Sequence, residues 1–189
     1  MADALRTAGF VLAGGRSSRM GRDKALLDAG GRTLLERVAA AVREAAGSVT
    51  VIAPPERYRH LGLPIIADAR PGEGPLAGIE AALDASEAEW NLIVACDMPN
   101  LEPEVLGRLL EFACASAADC VAGLSERGPE PLLAAYHRRA LPAVRAALDA
   151  GERRVTSALD ALQVVYFEID NHAITANVNT PAEWRNHLG

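Results

Sequence analysis

The residues best suited to chemistry lie in one short stretch, Leu12-Ala13-Gly14-Gly15-Arg16-Ser17-Ser18-Arg19-Met20-Gly21-Arg22-Asp23-Lys24. Adjacent glycines let the backbone turn sharply and approach a ligand closely. Successive N–H groups in such a turn can face a single anion. Arg19 and Lys24 add positive charge, Arg as a fork for two oxygens and Lys as a movable point charge. This combination suits the phosphates of a nucleoside triphosphate. The competing reading is an ordinary glycine turn with solvated basic residues. The pattern is neither a P-loop, because Gly21 is followed by Arg22-Asp23, nor GxGxxG.

Two acids extend the reading. Asp97 closes the apolar run Asn91 to Cys96, in the string Ala95-Cys96-Asp97-Met98-Pro99. An acid there can cap a turn, or it can hold Mg²⁺ against phosphates, because magnesium takes one or two carboxylates together with phosphate oxygens and waters. With the glycine loop present, the metal reading is preferred. Asp68 follows the run Pro64 to Ala67 and leads into Pro71-Gly72-Glu73-Gly74-Pro75-Leu76-Ala77-Gly78. Gly72, Gly74 and Ala77 mimic a dinucleotide fingerprint, but Gly74 stands too far from the strand end and Pro75 interrupts the turn. A loop feeding a helix N-terminus, whose free N–H groups can meet an anion or a base edge, fits better.

The C-terminal half offers less. Arg153 and Arg154 are adjacent cations, a pattern that is usually a solvated charge run. Asn177 and Asn179 alternate along an extended segment and so project to one side. They can bind a polar heterocycle or satisfy a turn, with Thr180 capping a helix from Pro181.

The elements that must position these residues alternate. Apolar runs predict strands at 8–13, 49–53, 64–67, 91–96, 120–124, 132–136 and 163–169. Helical spacing predicts helices at 33–46, 74–86, 103–115, 138–150 and 181–187. Thr33 and Glu36 fit a capping box, and Pro75 suits a first helical position. Ser125 to Pro131 reads as a loop. The alternation predicts an α/β fold with a mostly parallel central sheet flanked by helices. The length suits one domain. In such sheets ligands bind beyond the carboxyl ends of the strands, which directs attention to the loops after Ala13, Ala67 and Cys96.

Composition narrows the function classes. The net charge is −6, so nothing suggests the basic face of a nucleic-acid binder. The three cysteines lack CxxC spacing, and the four histidines lack HExxH. Buried thiols in a reducing cytosol are expected. No apolar stretch is long enough to span a membrane, and no secretory leader is visible, so a cytoplasmic protein with no membrane partner is the expectation.

The string Leu12-Ala13-Gly14-Gly15-Arg16-Ser17-Ser18-Arg19-Met20-Gly21-Arg22-Asp23-Lys24-Ala25-Leu26-Leu27 resembles the signature LAGGxSxRMGxDK of the molybdenum cofactor guanylyltransferases. Every fixed position of that signature is present. The segments around Asp68 and Gly74 to Gly78, around Asp97, at Gly151 to Val155 and at Asn177 to Trp184 resemble the same family, in the same order. The resemblance implies a Rossmann-like nucleotidyltransferase fold, with residues 8–100 binding nucleotide and residues 101–189 binding molybdopterin. It implies GTP and molybdopterin as substrates, Mg²⁺ as cofactor, and transient contact with other molybdenum cofactor proteins. It assigns Leu12, Ala13, Gly14, Gly15, Lys24, Asp68, Gly78 and Asp97 to the nucleotide and Asp97 to the metal. Arg19, Lys24 and Asp97 become the catalytic candidates, and Asn177, Asn179, Arg153 and Arg154 the candidates for molybdopterin.

One departure stands out. Some members place an asparagine after the second strand, where this chain has Val51-Ile52-Ala53-Pro54-Pro55. Three rivals remain at this level: a cytidylyltransferase for the same acceptor, a sugar-1-phosphate nucleotidyltransferase, and a GTP-binding module without chemistry. The Leu12-Ala13-Gly14-Gly15 string favours guanine by resemblance, since the cytidylyl relatives tend to carry LAAG.

Overall fold

The structure, a computed structural model, describes residues 7–14, 23–170 and 174. The predicted helix at 181–187, together with Gly15, Arg19, Asn177 and Asn179, lies outside the described residues.

The strands are β1 (Thr7–Leu12), β2 (Thr50–Ile52), β3 (Ile65–Ile66), β4 (Trp90–Ala95), β5 (Cys120–Ser125), β6 (Gly128–His137) and β7 (Val164–Glu168). They form one seven-stranded sheet in the order β3-β2-β1-β4-β6-β5-β7. β1 pairs in parallel with β2 and β4, β2 with β3, and β5 with β7. Only β6 runs against its neighbours β4 and β5. The mostly parallel sheet expected from the sequence is present.

Among the described residues, six α-helices flank it: α1 (Leu34–Ala46), α2 (Pro55–Tyr58), α3 (Pro75–Asp84), α4 (Pro103–Cys114), α5 (Leu141–Asp149) and α6 (Val155–Leu159). Alternate residues of each strand point to opposite faces. Val11, Val51, Leu92, Val94, Val121 and Leu133 therefore meet α1 and α4 in one buried cluster. Phe10, Ile52, Ile93, Ala122 and Ala134 meet α3, α5 and α6 in the other. Two cores sandwich the sheet, which explains why β4 is almost uniformly buried and reads as a continuous apolar run.

Local sequence sets several boundaries. The Thr33 hydroxyl accepts from the Glu36 N–H at 3.2 Å, and Glu36 Oε2 accepts from the Thr33 N–H at 2.8 Å, so the capping box starts α1. Gly47 ends it in a left-handed conformation. Pro75 takes the first turn of α3.

The segment Ser125 to Pro131 is not a free loop. β5 and β6 form a tight hairpin across Ser125 and Gly128, with a bulge between Ala122 and Gly123. The Ser125 hydroxyl donates to Glu130 Oε1 at 2.8 Å, which holds the turn. Proline and charged residues obscured this extension of the predicted strand at 132–136. The short helix α2 also escaped the sequence reading, since it is too brief to show helical periodicity.

Candidate active site

Parallel pairing places the ends of β1 and β4 side by side. The Ala13 N–H donates to the Ile52 carbonyl at 3.0 Å, and the Cys96 N–H donates to the Leu12 carbonyl at 3.1 Å. Leu12, Ala13 and Gly14 thus emerge next to Cys96 and Asp97. A cavity of about 470 Å³ opens at this carboxyl edge. It is lined by Leu12, Ala13, Gly14, Lys24, Asp68, Gly78 and Asp97, and also by Asp23, Ile52, Gly72, Gly74, Pro75, Cys96 and Leu132.

Lys24 opens a short 3-10 helix, Lys24–Leu26, whose cap is Asp23. Asp23 Oδ1 accepts from the Ala25 N–H at 3.2 Å. Its Oδ2 accepts from the Arg57 guanidinium at 2.6 Å and the Tyr58 hydroxyl at 2.7 Å. From this base Lys24 Nζ reaches to 3.8 Å from Asp97 Oδ2. That is a loose ion pair, longer than a hydrogen bond. The other oxygen, Asp97 Oδ1, is buried and has no hydrogen-bond partner among the described residues. Burial pushes the Asp97 carboxyl above its usual range, and Lys24 only partly opposes that.

Asp68 sits across the cavity, beyond β3. Its Oδ1 accepts from the Arg70 N–H at 2.7 Å. Burial raises its carboxyl too, with Glu80 and Glu73 adding repulsion. The Arg70 side chain reaches back to buried Glu80 on α3, with Nε 2.9 Å from Oε2. Arg145 of α5 binds the same carboxylate at 3.2 Å. This network moors the Asp68 loop to the helix layer beneath it.

The loop reaches α3 through Gly74, at φ 85 and ψ −171, a conformation that side chains other than hydrogen rarely adopt. One turn later Gly78 lies against Leu12. A Cβ on Gly78 would stand 3.1 Å from Leu12 Cδ2. The missing side chain lets α3 approach the cavity wall.

The two arginines that the resemblance offers to molybdopterin stand apart from this cavity and differ in their contacts. Arg153 donates to the carbonyls of Leu148 at 3.0 Å and Glu152 at 2.8 Å, and its Nη2 lies 3.2 Å from Glu73 Oε1. Its charge is already engaged with the Asp68–Gly74 loop. The Arg154 backbone N–H donates to Glu152 Oε1 at 2.7 Å, while its side chain is exposed. Neither lines the cavity.

Sequence reading gave no role to Ile52, Leu132, Tyr58 or Arg57. Ile52 had a usable signal, its position at the carboxyl end of a strand. Tyr58 and Arg57 had none, because their contacts with Asp23 span a long stretch of chain.

The mostly parallel sheet thus carries a glycine-walled cavity at its carboxyl edge, where Lys24 faces the half-buried Asp97. Residues 9–164 match the family model of the MobA-like NTP transferase domain, and the chain belongs to that family. A relative from Deinococcus radiodurans, named a probable molybdenum cofactor guanylyltransferase, is 42% identical over 92% of this chain and 89% of its own. One of the same name from Nostoc sp. is 37% identical over 92% of this chain and 86% of its own. The crystal structure of molybdopterin-guanine dinucleotide biosynthesis protein A from Archaeoglobus fulgidus superposes with a TM-score of 0.82 at 28% identity, covering 95% of both chains. A CMP:2-keto-3-deoxy-manno-octonic acid synthetase shares the fold, with a TM-score of 0.80 at 16% identity over 96% of each chain.

Among the described residues no helix is long and apolar enough to cross a membrane. None of them form a group of three or more His, Cys, Asp or Glu residues able to hold a metal ion.

Proposed function

We propose that this protein transfers a GMP unit from GTP to the terminal phosphate of molybdopterin and releases pyrophosphate. The observation that carries the reading is Lys24 facing Asp97 at 3.8 Å across a cavity walled by Gly14, Gly74 and Gly78. The names of the relatives support the choice of GTP and molybdopterin.

An acceptor phosphate oxygen attacks the α-phosphorus of GTP. A new P–O bond forms, the bond to the β-phosphate bridge breaks, and its electron pair leaves with pyrophosphate. The acceptor is an ionised phosphate monoester, so no strong general base is required. The barrier lies in bringing anions together and in charge gathering on the leaving group. Positioning and electrostatics lower such a barrier. Lys24, on the cavity wall beside Asp97, offsets triphosphate charge. The Gly14 end of β1 supplies close backbone approach. Asp68 positions the nucleotide on the far wall.

Asp97 suits a magnesium ion. Its buried Oδ1 lacks a partner, and a hard cation with mostly phosphate and water ligands needs only one or two protein carboxylates. When bound there, magnesium supplies charge neutralisation to the phosphate oxygens. Asp97 would hold it, and Asp68, which lines the same cavity, would add a second carboxylate to the site's charge.

The test is pyrophosphate release with molybdopterin and GTP, CTP or ATP. Lys24→Ala and Asp97→Ala each lose most GTP-dependent release while remaining folded. Near-normal release by both variants, or a preference for CTP, overturns the assignment.

A further inference from the structure

Tyr58 is fully buried, yet its hydroxyl is placed among polar atoms. Its single proton faces two acceptors, Asp23 Oδ2 at 2.7 Å, the nearer and charged one, and the carbonyl oxygen of Ala13 at 3.0 Å. One hydroxyl therefore joins the exit of β1 to the residue just before Lys24. Burial holds this phenol well above its ordinary range, so it stays a donor at any working pH. Arg57, its neighbour on α2, pairs with the same Asp23 oxygen at 2.6 Å and leans over the Tyr58 ring at 5.5 Å. Such charge-assisted contacts are among the stronger hydrogen bonds.

Asp23 lines the cavity beside Lys24 and Asp97. Left uncompensated, its charge would oppose an entering polyphosphate and draw on the field of Lys24. Its side chain is nonetheless needed, since Asp23 Oδ1 caps the turn that starts at Lys24, a contact that an asparagine oxygen keeps.

We propose that Tyr58 and Arg57 are positioning residues for the nucleotide subsite. Tyr58 ties the end of β1 to Asp23, and Arg57 neutralises Asp23 so that Lys24 acts on phosphate at full charge. The proposal rests on the nucleotidyltransfer reading above and adds two residues to it. Neither touches the reacting atoms. Both act through Asp23 and Lys24.

The experiment is a calorimetric titration of magnesium-GTP into the natural protein, Arg57→Gln, Asp23→Asn/Arg57→Gln and Tyr58→Phe, with thermal melts alongside. Arg57→Gln weakens GTP binding about tenfold, the scale of one lost charge-assisted hydrogen bond. Removing the stranded charge in Asp23→Asn/Arg57→Gln recovers most of that loss, although a second native contact has been deleted. A role in folding alone predicts the reverse, a double variant no better than the single one. Tyr58→Phe raises KM for GTP and leaves KM for the acceptor unchanged. Arg57→Gln binding GTP like the natural protein, or a double variant without recovery, overturns the proposal. If Tyr58→Phe does not fold, the two Arg57 variants decide. Absence of GTP binding by the natural protein overturns the nucleotide reading itself, and the clamp with it.

Discussion

Replacing Asp97 by Asn separates folding from function at this site. The carboxylate is mostly buried, one oxygen is unpartnered, and Lys24 stands 3.8 Å from the other. Burial outweighs the lysine, so the folded protein holds the proton more tightly than the ordinary value of 3.8 implies. An acid raised in this way favours the folded state only below its unfolded value, and loses that advantage as pH rises through its folded value. At neutral pH the natural protein therefore keeps the charge at a cost, which asparagine does not incur. The substitution also removes the ion pair, a loss of at most about 1 kcal/mol for a loose, partly solvated pair. Without ligand the variant should melt at the same temperature or slightly higher. With magnesium-GTP at about a hundred times its Kd, the natural protein gains about 2.7 kcal/mol. For a domain of this size that corresponds to an upward shift of roughly 5–10 °C. Asp97→Asn should lose most of the shift and most pyrophosphate release. Thermal melts with and without magnesium-GTP read both effects. A drop of several degrees in the unliganded melt would refute the argument from burial, and an undiminished ligand shift would refute the role given to Asp97.

Other substitutions test the surrounding walls. Gly78→Ala places a Cβ 3.1 Å from Leu12, so Leu12 must yield toward the cavity. Alanine's helix propensity, about 1 kcal/mol better than glycine's, offsets much of the strain, so urea melts should barely move while KM for GTP rises. Arg154→Ala should raise KM for molybdopterin alone, whereas Arg153→Ala should raise it for both substrates, because Arg153 is bound to Glu73 on the nucleotide loop; steady-state kinetics with each substrate varied distinguishes them. Asp119 accepts from the Gln163 N–H at 2.9 Å and pairs with Arg139, and these contacts lower its carboxyl. Its contribution is fully present above its unfolded value of 3.8 and is lost as pH falls through the lower folded value. Asp119→Asn should therefore cost stability at pH 7, and denaturant melts should show the gap closing under strong acid.

Much of the fold was legible because its signals are local. The capping box at Thr33 and Glu36, the proline opening α3 and the apolar run of β4 each depend on residues close in sequence. The string from Leu12 to Lys24 revealed a phosphate-binding composition for the same reason. The antiparallel course of β6 was less visible, since it follows from the tight turn and bulge at Ser125 to Gly128. The partner of Arg153 was not legible at all: its sequence context reads as a solvated charge run, and only the fold brings Glu73 to it.

By itself, the sequence determined which residue types were available and where strands and helices begin, because capping, periodicity and turn chemistry act within a few residues. It determined the loop chemistry at Gly14 and Lys24 and the acids at Asp68 and Asp97. Tertiary structure alone decided that these residues share one cavity, since only the β1–β4 pairing sets Leu12 beside Cys96. It also decided that Asp97 carries a buried, unpartnered oxygen and that Tyr58 and Arg57 hold Asp23. Burial and charge compensation arise between segments distant in the chain, and no spacing along the sequence encodes them.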